Sequence, residues 1–228
     1  MKIKSIILII ITLIFLSCTE NQTNLASPPK KLVILGNSIV THPPRPEVGW
    51  YGNWGIAASA ADSDFVHRII YSLKVNDLNY NTSFVNIANF ERGFYDYDFN
   101  NLDSLKNSNI VIIKIGENVV EKTAIDSNFI KHYDKLIKYF KKSSTIIVLS
   151  DGFYNINKVG EEDSTINLMI REYANKNNLL FIKTNDLSTD SSNRAYKTHS
   201  HPGVQAHPSD KGMRLIYDRI WEKIKNIL

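Results

Sequence analysis

Cysteine is all but missing from this chain: 228 residues contain one, Cys18. A lone thiol closes no intramolecular disulfide, so the fold must stand on its core. A strong charge of one sign is also lacking. Lysine and arginine number 27 against 23 aspartates and glutamates, and the bases are scattered among the acids, which excludes a nucleic-acid-binding stripe. No internal repeat and no second domain boundary are visible. No Cys or carboxylate spacing accompanies the close histidines His199, His201 and His207, so a metal is not expected there. Only one segment is apolar enough to suggest a membrane, Ile6 to Leu16, and it is too short to span one.

That segment follows Lys2 and Lys4 and is broken only by Thr12, which reads as a signal peptide. The run Phe15-Leu16-Ser17-Cys18 resembles a bacterial lipobox, in which cleavage leaves the cysteine as a lipidated N-terminus. The competing reading is an ordinary signal peptide or a signal anchor with an incidental cysteine. The expected organisation is a lipoprotein signal peptide over 1–17, a lipid-anchored tether over 18–30 and one domain over 31–228. The tether is polar and proline-bearing, with almost nothing to bury. This places the protein in the bacterial cell envelope, held to the membrane through Cys18. Removing Lys2 and Lys4 brings the net charge from +4 to about +2.

From Lys31 onward, unbroken Val/Ile/Leu runs recur at Lys31–Leu35, Phe84–Ile87, Ile110–Ile115, Thr145–Leu149 and Leu179–Ile182. Such runs are what strands buried on both faces look like. Helical spacing lies between them. Phe65, Val66, Ile69, Ile70 and Leu73 share a face, with Ser63 or Asp62 as the expected cap. Further faces are Phe129, Tyr133, Leu136, Ile137, Phe140, then Ile166, Met169, Ile170, Tyr173, and lastly Met213, Ile216, Ile220, Trp221, Ile224. Phe90 to Leu105 reads as a long loop with one helical turn. Alternation of this kind predicts a parallel sheet between helices, with ligands bound beyond the carboxyl ends of the strands.

The residues just past those ends carry the chemistry. Gly36-Asn37-Ser38 follows the first run, where a tight turn can expose a serine hydroxyl and its N–H. Gly116-Glu117-Asn118 follows the third, and an Asn amide there can meet charge developing on a substrate oxygen. His207 precedes the last helix and returns to the same edge, where a neutral imidazole can take the serine proton. Each signal is weak alone.

Together, in this order, they resemble the SGNH (GDSL-like) hydrolase superfamily: GNS at Gly36–Ser38, Gly-x-Asn at Gly116–Asn118, and His before Pro and the last helix in HPSDKGM from His207. The resemblance spans nearly all of residues 32–228. It implies a flavodoxin-like three-layer α/β/α sandwich with a five-stranded parallel sheet. It implies ester hydrolysis through a Ser38 acyl-enzyme, with His207 as base, Ser38 and Asn118 in the oxyanion hole, and often an acetyl group on a sugar as substrate. No cofactor is expected. Two departures stand out. The usual Asp three residues before the histidine is Val204, so either a backbone carbonyl orients the ring in a dyad, or another acid serves: Asp151 first, then Asp186 or Asp190. The glycine of the second block is also absent, and a backbone N–H between Ala88 and Glu91, or that of Gly93, must substitute.

Asn37, Glu117, Glu91 and Trp54 are the expected pocket residues, with Arg92 beside them. The aromatic run Trp50–Trp54 suits a sugar ring and suits core cover equally. His201 rivals His207 as base, His199 lines the pocket or the surface, His42 approaches its mouth, and His67 and His132 are structural. The leading expectation is an esterase acting on a small-molecule or glycan ester outside the cytoplasm. The alternative is a catalytically weak surface lipoprotein on the same fold that binds glycan; a phospholipid or thioester hydrolase would keep the mechanism and change the substrate.

Overall fold

Strands that bury both faces need apolar side chains along their length, and the three central strands here have them except at their ends, where Lys30, Lys31, Lys114 and Ser150 stand. The computed structural model describes residues 27–153 and 164–228; the expected signal peptide, Cys18 and tether residues up to 26 lie outside the described residues. Strands β1 (Lys30–Gly36), β2 (Tyr80–Asn86), β3 (Ile110–Lys114), β4 (Ile146–Ser150) and β5 (Leu180–Ile182) form one parallel sheet in the order β2-β1-β3-β4-β5. This is the doubly wound order, and the direction of winding reverses between β1 and β3.

The two-residue period of a strand sends successive side chains to opposite layers. Leu32, Ile34, Ile110, Ile112 and Val148 pack under α1 (Phe65–Val75) and α7 (Asp210–Ile224), meeting Phe65, Ile69, Ile216 and Ile220. Val33, Leu35, Val111, Ile113 and Leu149 face the other way. They meet α4 (Phe129–Phe140) and α5 (Thr165–Lys176) through Phe129, Tyr133, Ile166 and Ile170, with the short α2 (Ala88–Gly93) and α3 (Glu121–Asp126) beside them. Each fully buried aliphatic or aromatic side chain contributes about 1.5–3 kcal/mol. The result is a three-layer α/β/α sandwich.

Three local expectations need correction. β2 begins at Tyr80, earlier than its apolar run, because it is an edge strand whose Asn81 and Ser83 point to solvent. The cap of α1 is Asp64, whose carboxylate accepts from the His67 N–H, rather than Ser63 or Asp62. Phe90 to Leu105 is largely helical: it completes α2 and adds two 3-10 segments, over Phe94–Asp96 and Phe99–Leu105. Its Phe and Tyr residues are irregularly spaced, yet Phe90, Phe94 and Leu102 are buried in the α4 layer.

Candidate active site

β1 ends against its neighbour so closely that only glycine fits. A Cβ on Gly36 would stand 2.3 Å from Val40 Cγ2 and 2.7 Å from the Lys114 carbonyl oxygen. The chain then turns sharply around Asn37. The Asn37 carbonyl accepts from the Val40 and Thr41 N–H groups, and its side-chain Oδ1 accepts from the Ile39 N–H. These bonds pass over the Ser38 N–H and leave Ser38 half-buried at the carboxyl edge of the sheet, on the wall of a cavity of about 560 Å³.

His207 reaches the same cavity from the other end of the chain. Its loop is tied down by a β-bridge between Arg194 and Pro208 and by the Ala195 N–H donating to the His207 carbonyl at 3.0 Å. The Ser38 Oγ lies 2.8 Å from His207 Nε2, and His207 Nδ1 lies 2.7 Å from the Gly203 carbonyl oxygen. A carbonyl can only accept, so Nδ1 carries the proton and Nε2 is left to accept from the serine hydroxyl. Part of the ring still meets the cavity. Even so, loss of water around it pulls its pKa down to about 4, against the upward pull of the Gly203 carbonyl and the Glu117 charge.

Across the cavity from the imidazole lies a buried polar cluster. Asn37 Nδ2 donates to Glu117 Oε2 at 2.7 Å and to Glu91 Oε1 at 3.2 Å. Glu91 also accepts from the Gly116 and Asn118 N–H groups and from Asn118 Nδ2. Lys114, 1% exposed, donates to Glu117 Oε1 at 2.9 Å. Burial, then the Glu117 charge, raises the Glu91 carboxyl. Burial pushes Glu117 up as well, but the Lys114 ammonium and the N–H donors around it outweigh that and leave it below the ordinary range. The cluster fixes Asn118 at the cavity wall; Gly116, at φ 138°, supplies the left-handed backbone that the turn after β3 requires.

Several expected residues are elsewhere. Asp151 is buried and accepts from the Thr184 N–H and hydroxyl and from the Asn185 N–H; burial lifts its carboxyl to about 6. It makes no bond to His207. Asp186 pairs with Arg219, and Asp190 with Lys211 and Ser192. None of the three orients the imidazole, because a main-chain carbonyl occupies that position. Gly93 ends α2 away from the cavity, whereas Ala88 and Asn89 in its first turn line it. Asn37 and Glu91 sit behind the wall rather than on it; Glu117 and Arg92 are on it.

Trp54 does not line the cavity. Its Nε1 donates to the Ala58 carbonyl and its ring meets Trp50 edge-on at 5.6 Å, so the two tryptophans of the run are core cover around Ile56 and Val204, while Tyr51 is exposed. His201 lines the cavity, but its Nδ1 accepts from the Gly203 N–H and caps α6 (Pro202–Gln205). His199 contacts Thr198, His67 pairs with Asp64, and His42 reaches the cavity rim. Lys114 was hidden inside an apolar run; a lone lysine in a doubly buried strand is itself a signal for a buried carboxylate. Arg194 and Phe153, also lining the cavity, have no comparable local signature.

No protein-family model and no curated protein matches the chain by sequence. Solved structures match it by shape. An acetyl xylan esterase from Geobacillus stearothermophilus superposes with a TM-score of 0.57 at 19% identity, covering 86% of this chain and 95% of its own. A two-domain esterase active on acetylated mannans gives 0.58 at 18% identity, over 87% of this chain and 49% of its own. The psychrotrophic esterase EstA from Pseudoalteromonas sp. gives 0.57 at 14% identity, over 87% of this chain and 98% of its own. At such identities the likeness is one of fold.

Proposed function

We propose that this chain is a serine esterase that removes acyl groups, acetyl foremost, from carbohydrate. The observation that carries the reading is the Ser38–His207–Gly203 relay: hydroxyl to Nε2 at 2.8 Å, Nδ1 to a carbonyl at 2.7 Å. In this reading Nε2 takes the Ser38 proton as Oγ attacks the ester carbonyl, then returns it to the leaving alcohol. Water repeats the sequence on the acyl-enzyme. The oxyanion is met by the Ser38 N–H, by the Asn118 amide hydrogen not given to Glu91, and by the Asn89 N–H, which at the second helical position has no intrahelical acceptor to serve. Ser38 and His207 act as a dyad, the Gly203 carbonyl holding the tautomer in place of an acid. The neighbours active on acetylated xylan and mannan support the substrate class. Lipidation at Cys18, with an envelope location, belongs to the same reading and rests on the lipobox-like run alone.

The competing reading, a glycan-binding lipoprotein with little turnover, draws on Val204 at the usual acid position. Ser38→Ala separates them. It should abolish hydrolysis of p-nitrophenyl acetate and labelling by a fluorophosphonate while the circular dichroism spectrum is unchanged. Equal labelling of the variant, or no hydrolysis by the unaltered chain, rules out the esterase.

A further inference from the structure

Three guanidinium groups, Arg45, Arg92 and Arg194, line the cavity that holds Ser38, against a single carboxylate, Glu117. Glu117 is already committed to Lys114, Asn37 and the Phe153 N–H. Arg45 is paired with Glu47. Arg92 and Arg194 pair with no carboxylate among the described residues. Arg92 donates only to the Asn118 side-chain oxygen, at 3.2 Å.

Arg194 is the more telling of the two. It is 6% exposed, its Nε donates to the Ser188 carbonyl, and its Nη1 makes a long 3.4 Å contact with the Tyr196 hydroxyl. Its Nη2 is buried and has no acceptor among the described residues. The Phe153 and Tyr196 rings at 5.9 Å give it partial compensation. A guanidinium stays charged even when buried, so one without an anion is left under-satisfied.

The two free guanidiniums flank the reacting centre. Arg92 is bonded to Asn118; the Arg194 main chain is bridged to Pro208, the residue after His207, and its side chain, against the Phe153 ring, lines the same cavity as the imidazole. His207 is the group that protonates the departing alcohol, so the Arg194 side belongs to the leaving group and not to a small acyl group.

Resting on the esterase reading above, we propose that the alcohol carries a carboxylate: the substrate is an O-acetylated acidic polysaccharide built from uronic acid units, met by Arg194 and Arg92. Guanidinium matches a planar carboxylate with two parallel hydrogen bonds, and burial of Arg194 strengthens the pairing on its side of the cavity.

The test compares kcat/KM of the full chain on acetylated polygalacturonate and on acetylated mannan, at matched acetylation. The uronan should be favoured about tenfold or more at low ionic strength, as one charge-assisted pair would give, and salt should erode the ratio. Arg194→Gln and Arg92→Gln should each lower the ratio about tenfold, a change that a merely structural role would not produce. Unacetylated polygalacturonate should inhibit competitively. Should Arg194→Gln fail to fold, the unaltered chain's ratio and Arg92→Gln decide. Equal kcat/KM on the two polymers, a preference that survives both substitutions, or inhibition by phosphatidylglycerol vesicles but not by the uronan overturns the inference. A chain that hydrolyses neither polymer nor p-nitrophenyl acetate refutes the esterase reading instead. Calorimetric binding of polygalacturonate, present in the unaltered chain and lost in Arg194→Gln, then decides this inference by itself.

Discussion

If His207 is the base, kcat/KM for an uncharged ester must follow the ionisation of that imidazole in the free enzyme. Burial holds its pKa at about 4. At pH 5 an imidazole of that pKa is about 0.9 neutral, whereas one at the ordinary value near 6.5 is about 0.03 neutral. The ratio of kcat/KM at pH 5 to that at pH 8 therefore differs by about 30-fold between a walled-in and a solvated base. The measurement is acetate release from a neutral ester, quantified by chromatography from pH 3.5 to 8 at constant ionic strength, with Ser38→Ala as the blank. Activity should hold nearly flat down to pH 5 and fall about tenfold per unit below 4. A midpoint near 6.5 would refute the argument that desolvation, outweighing the upward pull of the Gly203 carbonyl and the Glu117 charge, sets this group. The same shift acts on stability. The folded form binds fewer protons than the unfolded chain between roughly pH 6.5 and 4, so the His207 contribution is lost as pH falls through that window.

Asp151→Asn should keep kcat/KM within about threefold of the parent, where removal of a triad acid costs about 10⁴; a loss of a hundredfold or more would return Asp151 to the reaction. Lys114→Met strands the Glu117 charge in a buried site and should lower unfolding free energy by about 3–5 kcal/mol in urea titrations. Adding Glu117→Gln to it should restore most of that loss, and a double variant no better than the single would show that the two groups are not coupled.

What was legible in the sequence followed the physics of burial. β1, β3 and β4 are covered on both faces and so announce themselves as unbroken apolar runs; α1, α4, α5 and α7 each turn one stripe to the sheet. β2 is at the edge, where alternating exposure admits Asn81 and Ser83 and blurs its start. The helical character of 88–105 was masked because Phe90, Phe94 and Leu102 answer to a concave core and not to one straight face. That Ser38, Asn118 and His207 meet at one cavity was legible from two strand ends and from the loop before the last helix. For the orienting group a backbone carbonyl and another acid both stayed open, because a carbonyl has no letter in the sequence to say which residue supplies it, and proximity of Asp151 to a strand end says nothing of where its carboxylate turns. Lys114 was overlooked by reading its strand for hydrophobicity alone.

The imidazole of His207 is steered by main chain, and this moves the point of genetic vulnerability. An orienting aspartate can be deleted by one codon change; a main-chain carbonyl at position 203 is not itself removed by a change of side chain. What can fail instead is the four-residue helix that carries it. α6 is pinned at its start by the His201 ring accepting from the Gly203 N–H and anchored in the interior by Val204, against the Trp50 cluster. Drift in this lineage should therefore be tolerated at position 203 only as far as the His201 ring can give way, since a Cβ there would stand 3.1 Å from His201 Cε1. It should be resisted at His201, Val204 and the tryptophan beneath them, none of which touches the reacting atoms.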